Sequence, residues 1–122
     1  MRPVRRPAHG GGMIPHFSGR LDAIQTDDQR EVFEHVFKRP ALDYFRMFYA
    51  DTAFFGAPHG LRSSIEFFGA DHVLFGTDMP LGGPQVIPDT VADLKRVGLS
   101  AEDERKVLEG NAERVLRLSV RA

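Results

Sequence analysis

Apolar positions along this chain fall into helical and strand spacings, and those spacings divide it into short elements. Val73, Leu74 and Phe75 form a β-favouring run that stops at Gly76, Thr77 and Asp78, so a buried strand is predicted to end against a carboxylate. Met79 and Pro80 then break it. Met13, Ile14, Phe17 and Leu21 share one helical face and predict a short helix starting near Met13, with Pro15 in its first turn. Asp27 and Asp28 offer an N-cap for a second helix carrying Val32, Phe33, Val36 and Phe37, ended around Lys38 to Pro40, with His35 off its apolar face. The aromatic-rich stretch YFRMFYADTA, Tyr44 to Ala53, reads as a strand entered by a turn from Leu42 and ending at Asp51 and Thr52.

Pro58 and His59 open the next predicted helix, whose Leu61, Ile65 and Phe68 step by four and three residues, and Gly69 closes it. Ile87, Val91 and Leu94 predict a further helix up to Gly98. Ser100 with Asp103 resembles a capping box for a helix carrying Val107 and Leu108, and Gly110 is expected to stop it. Asn111 is then expected to cap a last helix with Val115 and Leu116 inward. Strands alternating with helices in this way predict an α/β fold with parallel crossovers and about three strands. Residues 1–8, with three arginines and two prolines, read as a ragged strand or an unstructured start; residues 9–118 form the domain and 119–122 a polar tail.

Composition narrows the classes of function. The 122 residues suffice for one domain and are short for a large barrel. Sixteen Lys and Arg against 17 Asp and Glu give a formal charge of −1, which leaves no electrostatic footprint for nucleic acid or an anionic membrane. Without cysteine there is no disulfide and no thiolate, so any metal must be held by His and carboxylate. No apolar run approaches the roughly 20 residues of a membrane span. These features lead us to expect a soluble, cytoplasmic protein.

Four side chains are candidates for chemistry: His9, Asp51, His59 and Asp78 each fall at or just beyond a predicted strand end. Strand ends of a parallel sheet share one edge, so these groups can converge although distant in sequence. Imidazole with carboxylate suits zinc, manganese or iron. Three of these places also have a plainer reading: Asp78 as a turn or N-cap aspartate, His59 as a helix-start histidine, and the glycines after His9 as a connector. A serine hydrolase lacks its G-x-S-x-G elbow, with Ser63 and Ser64 inside a predicted helix, and no G-x-G-x-x-G follows a strand. The glycines at 10–12 are followed by Met13 and Ile14, not by the Lys-Ser/Thr of a phosphate loop.

The blocks HGGGMIPHFSGRLD, YFRMFYADTA, FFGADHVLFGTDMPLGG and GNAERVLRL, in that order from about His9 to Leu118, resemble the amidohydrolase-related metal-dependent hydrolases that include aminocarboxymuconate-semialdehyde and resorcylate-type decarboxylases. The resemblance implies the C-terminal portion of a (β/α)8 barrel, incomplete here and starting at about the fifth strand. It implies a divalent metal, zinc first, with His9 and Asp78 as ligands, Asp78 also handling protons, and His59 as a candidate proton relay. Phe55 stands where some relatives carry a histidine. The His-x-His or Glu-x-His pair that opens the family's first strand has no counterpart in this chain. Truncation, a shifted start codon or a split gene is the expectation this raises.

Two readings of function follow. The first is a metal-dependent hydrolase or non-oxidative decarboxylase acting on a small aromatic or unsaturated carboxylic acid. The second is a catalytically inactive remnant that folds by pairing its open strand edges with another copy or with a complementing N-terminal half.

Overall fold

The computed structural model describes residues 8–23 and 34–117. The predicted first strand therefore lies outside the described residues except for Ala8, as do the cap and first apolar positions of the predicted second helix, of which residues 34–36 are helical. The chain winds through α1 (Ser18–Ala23), α2 (Ala41–Arg46), β1 (Ala50–Asp51), α3 (Pro58–Phe68), a 3₁₀ turn at Ala70–His72, β2 (Val73–Leu74) and α4 (Val86–Val97). It ends in α5 (Ala101–Arg105), a π-type segment at Lys106–Gly110, and α6 (Asn111–Leu116). The strands β1 and β2 pair in parallel, with Ala50 opposite Val73 and Asp51 opposite Leu74. Two strands, not three, are present among the described residues.

The amphipathic helix α3 follows its sequence pattern. Pro58 needs no N–H partner in the first turn, Leu61, Ile65 and Phe68 face inward, and Gly69 at φ 80° ends the helix by donating its N–H to the Ile65 carbonyl. Helix α4 likewise ends at Gly98 in the left-handed region (φ 77°), which glycine adopts without steric cost. Its buried face is Val86, Thr90, Asp93, Leu94 and Val97, one position from the predicted stripe, and Ile87 is exposed. The core joins Ala50 and Val73 of the sheet to Leu61, Ile65 and Phe68 of α3, Leu94 and Val97 of α4, and Val107.

Other sequence expectations are corrected as well. Residues 12–17 make turns and the regular helix begins at Ser18, because the left-handed glycines hold the chain off the helical path. Tyr44 to Ala53 is not one strand: Pro40 precedes a helical turn in which Asp43 and Arg46 pair across i, i+3, and only Ala50 and Asp51 find a strand partner. Strand-favouring aromatics were outweighed by where a neighbouring strand exists. Gly110 does not stop its helix, which passes through the π-type segment into α6, because nothing there requires a left-handed residue. The Ser100 hydroxyl does accept from the Asp103 N–H as a helix cap.

Asn111 is not a cap. Its buried amide donates to the carbonyls of Ala70 (2.6 Å) and Val73 (2.8 Å), tying α6 to β2. Arg114 reinforces this join by donating to Asp71 O and lying over the Tyr49 ring, which stacks on His72. At the same end Lys106 meets Glu102, Asp71 and Asp103 at 3.3–3.4 Å. Hydrogen bonds to Glu102, then Asp71 and Asp103, raise its pKa above the ordinary lysine value. No described helix is long and apolar enough to cross a membrane.

Candidate functional site

The carboxyl ends of β1 and β2 carry two loops, and the segment His9–Gly12 crosses beside them. His9 (φ 53°) and Gly10 (φ 65°) are left-handed, so Ala8–Gly11 is a tight turn and no right-handed helix. The turn is held from several sides. Asp51, the last residue of β1, accepts the His9 N–H through Oδ2 and the Gly10 N–H through Oδ1, each at 3.1 Å. Its Oδ1 also accepts the Ala53 N–H at 3.1 Å. From α3, the buried Ser64 hydroxyl donates to the Gly10 carbonyl at 2.9 Å. The Phe54 ring fills the space where a side chain at Gly10 would stand, and Phe68 does so at Gly11. Gly10 and Gly11 thus form a close-packed corner, where the run's place near the N-terminus had left a connector reading open.

The loop after β2 is fastened to the residue that follows β1. Thr52 Oγ donates to Gly76 O at 2.8 Å and accepts Gly76 N at 3.0 Å, while a Cβ on Gly76 would stand 3.3 Å from that of Asp51. Two residues on, Asp78 is exposed, with a left-handed backbone (φ 60°) and a carbonyl that accepts the Leu81 N–H. The structure therefore brings the His9 turn and the Asp78 loop to the end of one strand. Asp78 stands in a turn and caps no regular helix, since α4 begins at Val86.

His59 lies exposed in the first turn of α3, which departs from this same end of β1. No hydrogen bond or ion pair among the described residues joins it to His9 or Asp78. Phe55, also at positive φ (49°), leans over Gly82 and helps line an open cavity of about 300 Å³ that reaches Asp93 and Arg96 on α4. His9, His59 and Asp78 lie outside that lining.

As metal donors the candidates divide. The Asp51 carboxylate is committed to three backbone N–H groups, a structural duty that the strand-end pattern alone did not distinguish from ligation. The His9 ring and the Asp78 carboxylate make no hydrogen bond or ion pair with another described residue, and both are exposed. Imidazole nitrogen and carboxylate oxygen are the donor types that zinc and manganese take. They amount to part of a site: no group of three or more His, Asp or Glu side chains among the described residues is arranged to hold a metal ion.

A sequence profile described as amidohydrolase matches residues 8–118. The chain belongs to the amidohydrolase family. Among curated proteins, a 6-methylsalicylic acid decarboxylase of Penicillium expansum is 30% identical over 105 residues, covering 86% of this chain and 32% of that protein. Among solved structures, the apo form of Metarhizium anisopliae IDCase matches with a TM-score of 0.73 at 26% identity, over 90% of this chain and 32% of the other. A dihydroxybenzoic acid decarboxylase from Polaromonas sp. JS666, solved with manganese and the inhibitor 2-nitroresorcinol, matches with a TM-score of 0.69 at 26% identity, over 91% and 32%. This amidohydrolase chain thus spans about a third of the length of these relatives. The described residues share the α/β fold of these two solved structures.

Proposed function

We propose that this chain forms the C-terminal part of a (β/α)8 barrel in a metal-dependent, non-oxidative decarboxylase of aromatic carboxylic acids, and that His9 and Asp78 are two of its metal donors. The convergence of the His9 turn and the Asp78 loop on the end of β1, with neither side chain hydrogen-bonded or ion-paired to another described residue, carries the reading. The decarboxylases among its relatives, one of them holding manganese, support the reaction class and the metal.

A divalent ion held there would supply Lewis acidity at the substrate's carboxylate and adjacent oxygen. Asp78, on its exposed turn, would deliver the proton that replaces carbon dioxide on the ring carbon. The carbon–carboxylate bond breaks, carbon dioxide leaves, and a carbon–hydrogen bond forms. His9 would fix the ion, and His59 would relay protons at the mouth. Zinc and manganese both fit this donor chemistry, and hydrolysis of a lactone or amide would use the same groups.

Metal analysis of the purified protein after loading with manganese or zinc tests this, together with carbon dioxide release from 6-methylsalicylate and 2,6-dihydroxybenzoate. Bound metal that is lost in both His9→Ala and Asp78→Ala is the expected result. No bound metal, with both variants behaving in solution as the parent does, would overturn it in favour of a non-catalytic remnant that associates through its strand edges.

A further inference from the structure

We propose that Asp51 and Thr52 are positioning residues that together set where His9 and Asp78 stand relative to one another; the purpose of this role rests on the reading of those two side chains as donors to one ion.

Asp51 ends β1 and Thr52 follows it directly, and the hydrogen bonds of this one dipeptide reach two different loops. Asp51 reaches the His9 turn, accepting the His9 and Gly10 N–H groups at 3.1 Å each, and its third bond, to Ala53 N, braces the carboxylate from its own strand end. Thr52, almost fully buried, reaches the other loop, with its hydroxyl both donating to and accepting from Gly76. The gauge between the two loops is therefore the one peptide unit that joins Asp51 to Thr52.

Both donor residues need such support. His9 at φ 53° and Asp78 at φ 60° occupy a backbone region that L-residues avoid, and such a conformation persists only where the surroundings over-determine it. Neither donor side chain is held by a hydrogen bond to another described residue, so each is placed by its backbone. Among the groups that hold that backbone are Asp51 at His9 and, two residues before Asp78, Thr52 at Gly76. Charge assistance strengthens the Asp51 bonds, because an ionised carboxylate accepts from backbone N–H groups more strongly than a neutral oxygen does.

The two arms are separable by substitution. Asp51→Asn replaces one accepting oxygen by a donating NH₂ group, which cannot satisfy both the His9 and the Gly10 N–H. Thr52→Val removes the hydroxyl at constant shape, and Thr52→Ser keeps it. Amide hydrogen exchange and manganese-induced line broadening, read residue by residue in the isotope-labelled protein, follow each arm.

Asp51→Asn is expected to speed exchange by about tenfold or more at whichever of the His9 and Gly10 N–H groups loses its acceptor, and to weaken broadening at the His9 ring while leaving that at Asp78. Thr52→Val is expected to do the reverse, at Gly76 and Asp78. Thr52→Ser should match the parent. Uniformly faster exchange across the core in step with lost stability, or a Thr52→Ser protein indistinguishable from Thr52→Val, would reduce both residues to general structural support and overturn the inference. A parent protein showing no manganese broadening at either side chain would overturn the shared-ion reading along with it. Site-specific exchange thus separates failure of the positioning role alone from failure of both. Should Asp51→Asn fail to fold, the Thr52 pair alone decides.

Discussion

The side-chain amide of Asn111 donates to the main-chain carbonyl of Val73 at 2.8 Å, joining the start of α6 to β2 across 38 residues of sequence. The same amide also satisfies the Ala70 carbonyl, so a single side chain closes the turn that leads into β2, the strand before the Asp78 loop. Replacing Asn111 with alanine would strand two carbonyls beside the core. We expect a loss of about 2–4 kcal/mol of stability, on the general cost of leaving buried polar groups unpaired. Urea unfolding checks it. Asn111→Asp, which removes the donor and adds a charge, should be at least as damaging.

Gly10 and Gly12 are both left-handed but differ in what surrounds them. A Cβ at Gly10 would meet the Phe54 ring at 1.7 Å, whereas nothing lies within 4 Å of one at Gly12. Gly10→Ala combines overpacking with backbone strain and should cost about 2–4 kcal/mol. Gly12→Ala carries only the strain, about 1–2 kcal/mol. Thermal midpoints of the two variants, compared side by side, should rank them in that order.

Ser64 is fully buried in α3, with its hydroxyl on the Gly10 carbonyl. Ser64→Ala keeps the packing and removes that donor, for an expected loss of about 1–2 kcal/mol. Hydrogen exchange should locate the loosening at the His9 turn, while the 24-residue separated pair Thr52–Gly76 stays protected.

Lys106 gives a dependence on alkaline pH. Its folded-state pKa is raised above 10.5 by Glu102, Asp71 and Asp103, so the folded state holds its proton more tightly than the unfolded chain does. The resulting stabilisation is fully present below the unfolded value and is lost as pH rises through the folded one. Lys106→Met should therefore lower the denaturation midpoint at neutral pH, and the gap from the parent should narrow above about pH 10.5. A gap constant with pH would show that the side chain acts through its packing.

By itself the sequence determined the elements whose causes are local. The stripe Leu61, Ile65 and Phe68, the proline that opens α3, the glycines that end α3 and α4, and the strand Val73–Leu74 running into Gly76 all follow from neighbours a few residues apart. The family blocks placed His9 and Asp78 among the residues of interest, and the fold leaves both side chains exposed at one end of the sheet. Tertiary structure decided the rest. Which part of Tyr44 to Ala53 became strand depended on where β2 offered a partner, and whether Asn111 capped a helix or braced a strand depended on which carbonyls lay in reach. Asp51 makes the same point at the site: a strand-end carboxylate can ligate or fasten, and only the His9 and Gly10 N–H groups, 42 and 41 residues away, assign it to fastening. Periodicity records which face of an element is buried, whereas the partner of a polar group is set by chain folding over distances that no local pattern encodes.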